Sequence, residues 1–183
     1  IINVDQFPTR CGSELPAHLF EGPQASCVTR LLGAGAIIAG KTVTAEFAVS
    51  DPGPTRNPRN LGHTPGGSSS GSAAAVAAGF CDIALGTQTS GSVIRPAGYC
   101  GTFGYKPSFG RVALDGVFPY SKSMDHIGLF AKDLQTLAAS LPVLVTDWQN
   151  TNNGVRNKSV IGVPIGSYLN LAKPHIQAQF EAS

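Results

Sequence analysis

The chain has 183 residues and a formal net charge of +2, with 42% hydrophobic and 13% charged residues. This length is enough for one domain with a buried core, and the composition is typical of a globular chain and not of a disordered one. The small net charge gives no reason to expect binding to nucleic acid or to a membrane surface, and no apolar stretch approaches the roughly 20 residues that span a bilayer.

The predicted elements alternate between helices and short apolar strands. In chain order they are a helix over 24–33, a strand over 36–39, a loop over 51–65, a helix over 73–78, a strand over 81–86, a helix over 132–141 that Pro142 ends, and a strand over 160–163. Val28, Leu31 and Leu32 are expected on one face of the first helix. Short strands separated by helices predict an α/β fold with a mixed, largely parallel sheet and flanking helices.

The cysteines and histidines predict neither a disulfide framework nor a metal site. The four cysteines have no C-x-x-C spacing and adjoin apolar segments, which favours buried thiols over disulfides. The four histidines are scattered without ligand spacing. We therefore expect no metal, and the disulfide state stays open.

A phosphate-binding pattern occurs at residues 35–42, where Gly-Ala-Ile-Ile-Ala-Gly-Lys-Thr matches G-x-x-x-x-G-K-[ST]. That motif needs a strand before its first glycine and an open loop after it. Here a predicted helix comes first, and the four intervening residues are apolar. The pattern therefore does not predict a nucleotide site.

A second pattern is G-x-S-x-G at residues 67–71, which would make Ser69 the nucleophile of an α/β-hydrolase. This turn must follow a buried strand, yet residues 60–65 are polar and interrupted by glycine and proline. Asp125 and His126 are the only crude candidates for its acid and base. The hypothesis stays open as a less favoured alternative.

Two serines are predicted to lie at the ends of adjacent elements. Ser68 is in the Gly-Gly-Ser-Ser-Ser-Gly-Ser run that leads into the alanine-rich helix, and Ser92 follows the next strand. Unpaired backbone N–H groups and the positive end of the helix dipole gather at such a helix start. Ser68 could alternatively act only as a cap of that helix.

The stretch from Gly66 to Lys106 resembles the signature of the amidase signature family. The matching pieces are the serine run 66–72, Leu-Gly-Thr-Gln-Thr-Ser-Gly-Ser at 85–92, Arg-Pro-Ala at 95–97, Cys-Gly at 100–101 and Lys-Pro-Ser at 106–108. Flanking agreement comes from residues 40–42, 46–48 and 123–128. The variant Gly-Ser-Val-Ile-Arg-Pro-Ala is similar to that of malonamidase-like members.

The resemblance implies a serine–cis-serine–lysine mechanism for cleaving a carboxamide. Ser92 would be the nucleophile, and Ser68, preceded by a cis peptide bond, would relay its proton to a neutral lysine. The backbone N–H groups of Thr89, Ser90, Gly91 and Ser92 would form the oxyanion hole.

The malonamidase-like variant also implies a role for Arg95, whose guanidinium can bind a substrate carboxylate through two hydrogen bonds. We expect a small amide as substrate and no cofactor. No nucleic acid or membrane partner is implied, and a homo-oligomer is compatible with the chain. The absence of a recognisable secretory signal favours the cytoplasm.

The chain departs from the family pattern in two ways. Ser90 replaces a glycine that is common in the family, and the triad lysine falls just upstream of Ile1. Lys41 matches a later Gly-Lys-Thr whose lysine is not the family's base. We therefore expect residues 1–183 to form a single partial amidase domain, truncated at both ends and inactive or weak alone. A non-catalytic binding or scaffold protein is the alternative.

Overall fold

The computed structural model describes residues 1–149, 162–163, 166–167 and 169–182. The chain divides into two compact units, Ile1–Gln149 and Asn150–Ser183. The helices are α1 (Ser26–Gly33), α2 (Ser70–Ala77), α3 (Ile94–Cys100), α4 (Leu134–Leu144) and α5 (Pro174–Glu181), and the strands are β1 (Ile83–Gln88), β2 (Phe103–Tyr105) and β3 (His126–Ala131). Short 3₁₀ turns occur at Ala17–Phe20, Glu46–Ala48 and Leu169–Leu171. None of the helices described is long and apolar enough to cross a membrane.

The first unit contains a three-stranded sheet in the order β1-β3-β2. Gln88 pairs with His126 and Ile83 with Ala131, so β3 runs antiparallel to β1, and β2 also pairs with β3 in antiparallel fashion. The predicted α/β class with flanking helices is confirmed. The expected largely parallel arrangement is wrong for the described strands, because β3 returns between β1 and β2 in the opposite direction.

The core forms on both faces of the sheet because successive strand side chains point to opposite sides. Ile127 and Leu129 pack into one cluster with residues of α1 and α4. Phe130, between Leu129 and Ala131 in sequence, packs into a second cluster with residues of α2 and α3. These β3 side chains are fully buried. The sheet therefore separates the α1 and α4 layer from the layer that carries the serine run.

The N-terminal elements differ from prediction at three points. Helix α1 begins at Ser26 and buries Val28 and Leu31, but Leu32 points to solvent and is 42% exposed. Residues 36–39 form no strand, and Ile37 is 92% exposed. An apolar run becomes a strand only when a neighbouring strand pairs with it, and no described strand lies beside this one.

The C-terminal elements of the first unit were predicted in part. The carboxylate of Asp133 accepts a hydrogen bond from the Thr136 N–H and caps α4. The helix continues past Pro142 to Leu144, contrary to prediction, because a proline in the last turn removes only one intrahelical hydrogen bond. Strand β3 was not predicted. The predicted strand at 160–163 lies partly outside the described residues.

Candidate active site

Ser68 lies in the loop that enters α2. The peptide bond between Gly67 and Ser68 is cis, as the resemblance implies. The Ser68 side chain is fully buried, and its Oγ has no hydrogen-bond partner among the described residues. Ser69, and not Ser68, occupies the position before the helix. Ser68 is therefore not the helix cap, and its hydroxyl makes no hydrogen bond to the described residues.

The carbonyl groups around Ser68 are held from two sides. The Gly67 carbonyl accepts hydrogen bonds from Nε and Nη2 of Arg95 at 3.0 and 2.6 Å. The Ser68 carbonyl accepts one from the Ala45 N–H at 2.9 Å and one from the Thr44 hydroxyl at 2.8 Å. Four donors thus fix two consecutive carbonyls of the loop, and they come from different parts of the chain.

Ser92 lies in the loop between β1 and α3 and is 8% exposed. Its carbonyl accepts a hydrogen bond of 3.3 Å from the Ser69 N–H. This bond joins the two serine loops, as the sequence predicted for adjacent elements. No hydrogen bond links the hydroxyls of Ser68 and Ser92 in this structure, because the Ser68 Oγ has no described partner.

The loop 89–92 presents a group of free backbone donors. Within residues 1–149, the N–H groups of these four residues donate no hydrogen bond to backbone or side chain. The next two N–H groups, of Val93 and Ile94, both donate to Oε1 of Gln88. The loop therefore offers unpaired donors at the four residues where the oxyanion hole is expected. The N–H groups of the next two residues, Val93 and Ile94, are not available.

Gln88 and Asp125 both make hydrogen bonds to this loop. Asp125 is 6% exposed, and its carboxylate accepts hydrogen bonds from the Thr89 hydroxyl and from the N–H groups of Tyr120 and Ser121. Sequence reasoning missed Gln88, whose only signal is a polar residue at the end of an otherwise apolar strand.

The α/β-hydrolase alternative lacks its required geometry. Residues 60–66 form no strand before the serine run. The Ser69 hydroxyl is bonded to the backbone carbonyl and N–H of Thr87 at 3.1 and 3.2 Å. Asp125 is already bonded to Thr89, and His126 Nδ1 lies 2.7 Å from the carbonyl of Met124. No triad assembles around Ser69 among the residues that the structure describes.

Arg95 is exposed, although its guanidinium already binds the Gly67 carbonyl. These two bonds use Nε and Nη2, and none of the described hydrogen bonds involves Nη1. The side chain thus stabilises the loop of Ser68 and retains donors for another ligand. Its role in substrate binding stays a prediction.

The Lys41 ammonium makes no described hydrogen bond to Ser68 or to Ser92. Its ammonium donates to the Thr9 hydroxyl at 2.6 Å, and that hydroxyl donates to Asn3 Oδ1 at 2.6 Å. Burial lowers the pKa of Lys41, and the nearby Cys11 thiol opposes this shift. Lys41 also lines an open, mostly apolar cavity of about 320 Å³ to which Ser92 does not contribute.

All four cysteines are free, and three of them are buried while Cys81 is half-buried. Among the described residues, no group of three or more His, Cys, Asp or Glu side chains could hold a metal ion. The candidate site is therefore defined by hydroxyl, amide, guanidinium and backbone groups.

The fold and the joined loops define an α/β protein whose candidate site contains two buried serines. The family model Amidase matches residues 1–168. A glutamyl-tRNA(Gln) amidotransferase subunit of Deinococcus radiodurans is 44% identical over 149 residues, which cover 78% of this chain and 31% of that protein. The same subunit of Koribacter versatilis is 38% identical over 203 residues, covering 100% of this chain and 42% of that protein. The chain belongs to the amidase family, which confirms the resemblance.

Solved structures agree with this assignment. The native peptide amidase of Stenotrophomonas maltophilia has a TM-score of 0.74 and 38% identity, over 79% of this chain and 32% of that one. The glutamyl-tRNA(Gln) amidotransferase subunit of Thermotoga maritima has a TM-score of 0.74 and 34% identity, over 86% of this chain and 36% of that one. The chain thus spans about a third of the length of these relatives.

Proposed function

We propose that the chain is one section of a longer amidase, here called the parent amidase, which cleaves a carboxamide C–N bond through a serine acyl-enzyme. The observation that carries the proposal is the junction of the two loops. A buried hydroxyl without a described partner, that of Ser68, lies in a loop bonded to the backbone of Ser92. A buried unpaired polar group is costly, so its retention at this junction favours a functional role.

In the first half of the reaction, Ser92 Oγ attacks the carbonyl carbon of the amide. Its proton passes to Ser68, whose own proton passes to a neutral lysine. The resulting oxyanion accepts hydrogen bonds from the free N–H groups of the loop 89–92, each worth roughly 3–4 kcal/mol in the transition state. The C–N bond then breaks, and the leaving nitrogen takes the proton back from the lysine through Ser68.

In the second half, water attacks the Ser92 ester. Its proton follows the same route to the lysine, the ester C–O bond breaks, and Ser92 Oγ recovers the proton as the carboxylic acid leaves. The net reaction consumes one amide and one water and forms one acid and ammonia or an amine. No cofactor is needed for this balance.

The base is the component that we do not place within residues 1–183. The family resemblance puts the triad lysine just before Ile1, and Lys41 donates to Thr9 and not to Ser68. We propose that the parent amidase supplies this lysine from its preceding residues. A parent sequence without a lysine there would instead favour a non-catalytic protein that uses the fold for binding.

The proposal is tested by assaying the parent amidase and the 183-residue chain on a panel of simple amides. We expect turnover by the parent, loss of turnover in its Ser92→Ala variant, and little or no activity of the short chain. Removal of one triad member leaves at most the residual rate that binding and the oxyanion hole provide, roughly 10³–10⁴ over water in serine proteases. Robust turnover by the short chain that Lys41→Ala abolishes would contradict the placement of the base.

A further inference from the structure

Gln88 is the last residue of β1, and its side chain is turned into the loop that carries Ser92. It is 6% exposed, and all of its described side-chain hydrogen bonds are made to the backbone of that loop. A primary amide carries N–H donors at one end and an acceptor oxygen with two lone pairs at the other, so its partners define which way it points. Here its partners lie on both sides of Ser92.

The two ends of the Gln88 amide contact opposite ends of the loop. Nε2 donates to the Ser90 carbonyl at 2.8 Å, two residues before Ser92. Oε1 accepts from the Val93 N–H at 2.8 Å and from the Ile94 N–H at 3.0 Å, just after Ser92. The Gln88 side chain therefore bridges the two ends of the loop 90–94, which contains Ser92.

The bond to the Ser90 carbonyl also sets the direction of the next N–H. The peptide between Ser90 and Gly91 is trans, so its C=O and N–H point in opposite directions. With the carbonyl turned toward Gln88, the Gly91 N–H points away from it. That N–H has no partner within residues 1–149 and is available for a ligand.

We propose that Gln88 is a positioning residue for the oxyanion site, which orients the Gly91 N–H outward and withdraws the Val93 and Ile94 N–H groups from it. The inference rests on the proposed function, since it assigns Gln88 a part in that reaction. The described side-chain hydrogen bonds of Gln88 all go to the loop backbone and none reaches the Ser92 hydroxyl, so we assign Gln88 a role through the loop.

The role requires an amide, because the side chain must donate to one carbonyl and accept from two N–H groups at once. In Gln88→Glu, the carboxylate keeps the acceptor but places a negative oxygen against the Ser90 carbonyl, which favours reversal of the Ser90–Gly91 peptide. In Gln88→Met, a side chain of similar length makes neither contact. The two variants therefore separate the donor function from the acceptor function.

The kinetic test compares both variants with wild type in the parent amidase. Misdirecting one oxyanion donor is expected to lower kcat by roughly 10²–10³-fold, with KM changed less than about twofold, because the donor acts in the transition state. Ser140→Ala is the matched control, since it removes a hydrogen bond to the Thr136 carbonyl in α4, far along the chain from the loop. This control is expected to leave kcat unchanged.

A purely structural role would give a different result. If kcat of the Gln88 variants recovers at lower temperature, or falls no more than that of a control of equal Tm, the inference is overturned. A matched rise in KM would also overturn it, because substrate binding and not transition-state stabilisation would then be lost.

Amide hydrogen exchange on the 183-residue chain gives a readout that does not need activity. Val93 and Ile94 are expected to be protected in wild type and in Gln88→Glu, and to lose protection in Gln88→Met. Unchanged protection in Gln88→Met would overturn the inference. Exchange that behaves as expected, together with a parent amidase that hydrolyses no amide, would leave the loop contact standing. That outcome would overturn both the proposed function and the positioning role of Gln88 in that reaction.

Discussion

Gly71 is the second residue of α2 and lies against the segment that holds the Ser68 carbonyl. Its N–H donates to the Val43 carbonyl at 3.0 Å. A Cβ added at Gly71 would lie 2.7 Å from both the N and the O of Val43 and 2.9 Å from Cβ of Thr42. Backbone atoms cannot rotate away as the end of a side chain can, so Gly71→Ala must separate α2 from residues 42–45.

The expected loss of stability follows from three contributions. Overpacking against backbone costs about 1–3 kcal/mol, and weakening of the Gly71–Val43 hydrogen bond costs about 0.5–1.5 kcal/mol. The better helix propensity of alanine offsets at most about 1 kcal/mol. The net loss of about 0.5–4.5 kcal/mol corresponds to a fall in Tm of roughly 1–18 °C for a chain of this size.

Differential scanning calorimetry or fluorimetry of the chain measures this change. Gly98→Ala in α3 is the matched control, because a Cβ there meets no atom within 4 Å. Relief of the helical glycine penalty should stabilise that variant by about 0.5–1 kcal/mol. A Gly71→Ala variant as stable as wild type would refute the tight contact between α2 and residues 42–45.

Three further predictions concern charge and reactivity. In the parent amidase, Arg95→Lys should raise KM for a carboxylate-bearing amide by roughly 5–150-fold and leave a neutral amide little changed; equal losses on both would confine Arg95 to its loop contact. Asp133→Ala should lower Tm at neutral pH. The hydrogen bond from a helix N–H lowers the pKa of this carboxyl below its ordinary 3.8. The difference in Tm between wild type and variant should therefore persist above about pH 4 and vanish as the pH falls through the lowered pKa. A thiol reagent at about pH 8 should modify half-buried Cys81 before Cys27, because burial raises the pKa of the Cys27 thiol to about 11; equal rates would contradict this.

The sequence predicted the elements whose signals are local. Helices α1, α2 and α4 follow from the spacing or density of their apolar residues, and β1 was predicted two residues early at each end. The proximity of the Ser68 and Ser92 loops was also predicted, since each lies at an end of one of two consecutive elements. These features depend on short-range periodicity and on motif order, which a single sequence contains.

The features that were missed depend on distant partners. Strand direction could not be predicted, because it depends on β3 returning between β1 and β2. Ile37 and its neighbours are apolar enough for a strand but pair with no described strand. Gln88 could not be assigned from the sequence, because its role follows only from hydrogen bonds that form once the chain turns after β1.

The central claim is that Ser92 forms the acyl-enzyme and that Ser68 assists it. The most direct measurement is to treat the parent amidase with a fluorophosphonate, which captures an activated serine, and to locate the adduct by peptide mass spectrometry. We predict a single adduct on Ser92 that is absent in Ser92→Ala and forms much more slowly in Ser68→Ala. An adduct on Ser69, or labelling of Ser92 at an unchanged rate without the Ser68 hydroxyl, would contradict the account.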